Sequence, residues 1–293
     1  MSKKENIDVN EDSNLIGEQQ VLDAFNYLEI EKEGNRDAAW ERFSQALVQK
    51  DQKERRLPRR IIYYSVAASF LALISISVFL FNQYTPTTYR ATFGEMSKFY
   101  LPDSSILILN ADSRVSFRKS GWNRKRMVSL KGEAFFDVRK GKDFLIETSE
   151  ATVKVLGTSF NVYSRDGFFS VKCKTGEILV TSKVHRSTDT LKGREALEIP
   201  AIKNGGIKKY MLGNIEAAAW IKGEFYYNDV PLNEVIKELE RQFNVEISAS
   251  DDIQSRHYSG YFKNDQLVSA LEYVCTPMNL KYQVNRGNSI RIY

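Results

Sequence analysis

Residues 61–81 read IIYYSVAASFLALISISVFLF, twenty-one consecutive positions without a charge, a proline or a glycine. At about 1.5 Å per residue such a helix is about 31 Å long, and the hydrocarbon core of a bilayer is about 30 Å thick. A buried core helix would normally be shorter and carry a polar stripe, and Ser65, Ser69, Ser75 and Ser77 do not line up into one. A cleaved signal peptide has an apolar stretch of about 7 to 15 residues close to the N-terminus. Here sixty residues come first. The chain is therefore expected to cross a membrane once.

Charge beside the run sets its direction. Lys50, Lys53, Arg55, Arg56, Arg59 and Arg60 precede it, whereas residues 82–89 carry no charge. Positive flanks stay in the cytoplasm, so the N-terminal side is expected inside and the C-terminal side translocated, as in a single-pass protein of the inner membrane. Tyr63, Tyr64 and Tyr84 stand where interfacial aromatics are favoured. Pro58 is placed to separate the preceding helix from the span or to kink the junction.

A net charge of +5 hints at nucleic acid until it is divided along the chain. Residues 1–49 hold five Lys/Arg against eleven Asp/Glu, a charge of −6; residues 50–60 hold six against two, +4; the remainder is +7. No basic run is interleaved with aromatics as a phosphate-tracking groove requires. Direct nucleic-acid binding is not expected.

Before the span, Val21, Leu22, Phe25 and Leu28 recur at helical spacing, and after a polar stretch so do Ala39, Trp40, Phe43, Ala46 and Leu47. Two amphipathic helices in about 45 residues bury too little surface to be stable alone. Residues 1–57 therefore read as a helical segment that folds or stiffens against a partner, or as a hairpin closed by Trp40 and Phe43.

Beyond the span the period changes to two. Val153 and Val155 alternate with Thr152 and Lys154, Phe160 and Val162 with Ser159 and Asn161, and Phe169, Val171 and Cys173 with Ser170, Lys172 and Lys174. Turns recur roughly every 8 to 12 residues, so 87–212 is expected to be an all-β domain: a sandwich, a barrel or a coiled ribbon stack. The last segment, 220–293, reads as a small α+β domain. Strands are expected at 225–227, 245–247, 258–262, 280–284 and 289–293, with one helix opened by Pro231 and another ending before Pro277.

These blocks carry a resemblance. GEMSKFYLPDSSILILNADSRVSF, RMVSLKGEAFFDVRKGKDFLIETSEATVKVLGTSFNVYS and KTGEILVTS resemble the periplasmic domain of FecR-type anti-sigma regulators. AAAWIKGEFYYNDVPLNEVIKELERQFNVEI, with YSGYF, resembles the C-terminal domain common in the Bacteroidetes branch of that family. The family commonly has glycine in the turn where this chain has Ser104. The resemblance implies a non-enzymatic relay without cofactors. The signalling domain of a TonB-dependent outer-membrane transporter would contact the C-terminal part in the periplasm, and the cytoplasmic segment would release an extracytoplasmic-function sigma factor. In some relatives the relay runs through proteolysis near or within the membrane helix. The sigma contact would fall on Leu22, Phe25, Leu28, Trp40, Phe43 and Leu47. The alternative is a membrane-anchored periplasmic binding or scaffold module whose cytoplasmic residues only fix topology.

Catalytic and metal readings are weaker. Two His and two Cys would all be consumed by one four-ligand His/Cys metal site. Glu133 and Asp137 stand about 13 Å apart on a strand, too far for a glycosidase pair, and are expected to be solvated or to anchor loops. Gly157-Thr158 reads as a strand-joining turn, since no phosphate-binding glycine motif surrounds it. No G-x-S-x-G elbow is present, and neither His185 nor His257 has a triad neighbour in sequence. Cys173 and Cys275 read as core thiols of separate domains.

Overall fold

The computed structural model describes residues 36–51, 59–201, 205–213 and 217–293. Two units divide at Leu73/Ile74. The first holds helix α1 (Arg36–Asp51) and the start of helix α2 (Arg59–Tyr84). Within α2 the window Tyr63–Phe81 is long and apolar enough to cross a membrane, and none of it is buried. That is what a lipid-facing helix requires. Pro58 and the helix expected around 21–28 lie outside the described residues.

The second unit continues from α2 into the strands. Thirteen of them form one sheet that folds over on itself. Its first six are β1 (Thr87–Ala91), β2 (Ser97–Tyr100), β3 (Ile106–Leu109), β4 (Ser113–Phe117), β5 (Arg126–Asp137) and β6 (Phe144–Glu147). They are followed by β7 (Ala151–Val155), β8 (Ser159–Arg165), β9 (Phe168–Thr175), β10 (Glu177–Ser182), β11 (Thr188–Lys192), β12 (Glu195–Ile199) and β13 (Lys208–Met211).

Strand β5 belongs to both layers. Its first half pairs with β4 and, in parallel, with β6. Its second half pairs with β3 and β8. The change of partners occurs at Gly132, where φ is +106°. A Cβ placed there would lie 2.8 Å from the Ser113 Cα, so only glycine fits.

The alternating residues expected to face inward do so. Val153, Phe160, Val162, Phe169, Val171 and Cys173 are fully buried in one core. Phe136 stacks on Phe160 at 5.4 Å between centroids and meets the edge of Phe144 at 6.2 Å. The Gly157-Thr158 turn joins β7 to β8. A Cβ on Gly157 would lie 2.8 Å from the Lys140 Cα, which explains that glycine as packing.

The C-terminal elements are β14 (Glu224–Pro231), α3 (Leu232–Phe243), β15 (Glu246–Ser248), a short α4 (Asp251–Ser255), β16 (His257–Lys263), α5 (Leu267–Cys275), β17 (Tyr282–Val284) and β18 (Ser289–Ile292). This matches the expected order with α4 added. β14 pairs with β16, and β15, β18 and β17 form a second small sheet. Leu232, Val235, Ile236 and Leu239 of α3 and Leu271, Val274 and Cys275 of α5 fill a separate core. Asn244 ends α3 in the left-handed conformation, φ +52°, with its N–H on the Glu240 carbonyl. Cys173 and Cys275 are free and buried in different cores, and burial pushes each thiol up to about 11.

Ser104 keeps the glycine-type turn. Its φ is +63°, and its N–H donates to the Leu101 carbonyl at 2.8 Å. A residue with a Cβ pays for the left-handed conformation. Ser104→Gly should therefore stabilise the protein by about 0.5–1 kcal/mol after the added flexibility of the unfolded chain is subtracted. Thermal unfolding of the two proteins checks this.

Candidate functional site

The candidate contact residues of the first unit divide by position. Trp40, Phe43 and Leu47 lie on α1, whereas Leu22, Phe25 and Leu28 lie outside the described residues. Trp40 is 69% exposed, and its ring lies 5.9 Å from that of Phe43. Spacing of three residues puts both rings on one face of the helix. An exposed tryptophan backed by phenylalanine is the kind of anchor that a protein partner covers.

In the second unit, the side chains with the strongest mutual constraint join the β domain to the C-terminal domain. Asn110 follows β3, Glu133 sits in β5 just past the Gly132 pivot, and Asn161 lies on neighbouring β8. The Glu133 carboxylate accepts from Asn110 Nδ2 at 2.8 Å and from Asn161 Nδ2 at 2.7 Å. A carboxylate can only accept here, so both amides must turn their oxygens the other way. Asn110 Oδ1 then accepts from Gln242 Nε2 on α3 at 2.8 Å, and Asn161 Oδ1 accepts from the Trp220 indole N–H at 2.9 Å.

The network continues along α3. Gln242 Nε2 also donates to Glu238 Oε1 at 2.7 Å, and Glu238 Oε2 takes both Nε and Nη2 of Arg241 at 3.0 and 2.6 Å. Gly94 N–H donates to the Arg241 carbonyl at 2.7 Å, adding a backbone tie between the domains. Ile108 and Phe135 of the β domain pack on the C-terminal core around this polar centre. At the rim, Lys237 pairs with Asp166 at 3.0 Å. That bond and the lysine charge hold the Asp166 carboxyl below its usual range.

Of the two roles expected for Glu133, solvated or loop-anchoring, the structure shows the second: its carboxylate holds Asn110 of the β3–β4 loop, and it is not solvated. Its side chain is buried because the second domain covers this face of β5. Asp137, four residues on, is exposed and accepts from Ser159 Oγ at 2.6 Å. Burial, and then the charge of Glu238, raise the Glu133 carboxyl above the ordinary carboxylate range, against the two amide donors and Arg165.

His257 Nδ1 lies 2.8 Å from Asp229 Oδ1, and nearby Ser259 Oγ accepts from the Asp229 backbone N–H at 2.9 Å. Among the described residues no group of three His, Cys, Asp or Glu is placed to hold a metal ion.

Sequence reasoning missed Glu238, Arg241, Gln242, Asn110 and Asn161. In the sequence, Glu238, Arg241 and Gln242 fall off the apolar stripe of an amphipathic helix, and the two asparagines read as turn and strand residues.

Comparison with known proteins agrees with this two-domain arrangement. The family described as "FecR protein" matches residues 87–179, and that described as "FecR, C-terminal" matches 224–292. Two solved structures, each described as a candidate anti-sigma factor from Parabacteroides distasonis ATCC 8503, are similar. One has 30% identity and a TM-score of 0.63, covering 71% of this chain and 99% of its own. The other has 29% identity and a TM-score of 0.62, covering 71% and 98%. A comparison with curated proteins finds no match.

Glu133→Ala should strand two buried amide donors and destabilise the protein by about 3 kcal/mol, read by chemical denaturation. A group whose folded value is raised contributes fully below the unfolded value, about pH 4.3, and loses that contribution as pH rises through the folded value. The stability of Glu133→Ala should therefore fall less steeply than that of wild type above that pH.

Proposed function

Because this chain belongs to the FecR family, we propose that it is a single-pass anti-sigma regulator. In this reading residues 1–57 lie in the cytoplasm and hold an extracytoplasmic-function sigma factor. The β and C-terminal domains lie in the periplasm and receive a signal from the signalling domain of a TonB-dependent outer-membrane transporter. The protein acts by binding and not by catalysis.

The observation that carries the sigma contact is the exposed Trp40 on α1, backed by the half-buried Phe43. The orientation is supported by six cationic residues before the span and none in 82–89. Together these favour a cytoplasmic contact helix over a segment that only fixes topology. Leu47 extends the same helix, and Leu22, Phe25 and Leu28 belong to the same proposed contact on their helical spacing.

The polar junction suits a signal receiver. A purely apolar contact is held by area, whereas a network of directed hydrogen bonds has a defined arrangement that is either complete or broken. A partner that competes for α3 or for the strands around Glu133 would therefore have two discrete states to choose between.

The full chain, solubilised from membranes of cells that express it, should retain a sigma factor identifiable by mass spectrometry. Trp40→Ala/Phe43→Ala should reduce that retention at least tenfold while leaving the amount of chain in the membrane unchanged. Undiminished retention would remove these residues from the contact. Absence of any sigma factor would favour the anchored scaffold.

A further inference from the structure

A cavity of about 460 Å³ opens beside the Gly132 pivot, and its charge is unbalanced. Arg90 of β1, Arg114 of β4 and Lys131 of β5 all line it. Their register explains why they converge: Arg90 is directly opposite Arg114, and Arg114 is directly opposite Lys131. Directly opposed residues share a face with Cβ atoms about 4.5–5.5 Å apart, and like charges so placed repel. All three side chains are exposed, and among the described residues none has an ion-pair or hydrogen-bond partner.

The other charges in the wall are already engaged. Arg165 is paired with Asp112, Asp166 with Lys237, and Arg241 with Glu238. The Arg165 side chain is 93% buried, and its Nη groups hold the Ala111 and Asp112 carbonyls and Ser113 Oγ. Its buried Nε has no partner among the described residues. Three uncompensated cations therefore line the cavity, and Arg165, which lines it too, keeps a buried guanidinium N–H without a partner among the described residues.

A soluble sheet face normally alternates the sign of opposed charges, because repulsion across a register gains nothing for folding. Three cations in a row become favourable when an anion bridges them. Arginine suits phosphate in particular, through two parallel N–H···O bonds. The volume lies in the range of small-molecule sites and exceeds what a bare ion would fill.

Chain length adds a constraint on the source. Only five residues lie between Tyr84 at the end of α2 and Arg90, so the six steps reach at most about 21 Å. Phosphate on a lipid headgroup is therefore a source to test beside phosphate on a soluble molecule.

We propose that this cavity is a binding site for a phosphate-bearing anion, held by Arg90, Arg114 and Lys131. The site is separate from the sigma contact and does not depend on it. It places an anion beside the domain junction, one residue from Glu133.

The test uses the full chain in two settings at physiological salt. In a nonionic detergent, inorganic phosphate is titrated by calorimetry. In nanodiscs, the melting temperature is compared between phosphatidylcholine alone and phosphatidylcholine with phosphatidylglycerol. Saturable phosphate binding that weakens at least tenfold in Arg114→Gln/Lys131→Gln supports a site open to soluble anions. A phosphatidylglycerol-dependent rise in melting temperature, abolished by the same variant, supports a lipid headgroup. With no anion present the variant should melt at or above the wild-type temperature, because opposed cations have been removed; if it fails to fold, Arg90→Gln on the neighbouring strand takes its place. Arg114→Lys keeps the charge but loses the paired N–H donors, so it should bind several-fold more weakly. Equal affinity of Arg114→Lys and wild type, or no saturable response to either probe, would overturn the proposal.

Discussion

The backbone of β5 changes sheets at Gly132, and most of what distinguishes the second unit follows from that crossing. Side chains along a strand alternate between faces, so a strand shared by two layers must turn where the layers part. The turn requires positive φ and direct contact with the Ser113 backbone, which excludes any residue with a Cβ. Lys131 is left on the outer face beside Arg114, and Glu133 is delivered to the face that the C-terminal domain covers. Three consecutive residues thus serve the anion cavity, the sheet crossing and the domain junction.

The junction is unusual in being organised around a buried carboxylate with no cation bound directly to it. Two asparagine amides stand between Glu133 and the second domain, and each passes on an acceptor to a donor from the other side, Gln242 or Trp220. The chemistry of the end groups fixes the direction of every bond: a carboxylate accepts and an indole N–H donates. Such a chain tolerates little sliding, because a shift large enough to break one hydrogen bond leaves a buried polar group unpaired. Ile108 and Phe135 contribute the burial, and the amides contribute the register. This arrangement allows one docked geometry and gives a competing partner something definite to break.

The first unit follows a different rule. The α2 surface is apolar all round, and its exposed side chains suit lipid. The α1 surface instead carries one exposed tryptophan backed by a half-buried phenylalanine, which suits a protein partner. An extended apolar surface and a localised one call for different company.

Much of this was legible in the sequence because it rests on local periodicity. The unbroken run 61–81 gave a helix long and apolar enough to span, the alternation in 153–155, 160–162 and 169–173 gave strands and their inner faces, and 232–243 gave an amphipathic helix whose Leu232, Val235, Ile236 and Leu239 are buried, though not the burial of its Glu238, Arg241 and Gln242. The family resemblance rested on blocks in order, and the comparisons agree with it. The burial of Glu133 was not legible, because alternation states which residues share a face and not what covers that face. Asn110 and Gln242 are 132 residues apart, and no local pattern marks either as half of a bond. The row Arg90, Arg114 and Lys131 was equally hidden, since it exists only once three strands are in register. Hydrophobic period is a property of one segment and can be read from it; charge and hydrogen-bond complementarity are properties of pairs, and only the tertiary structure decides the pairs.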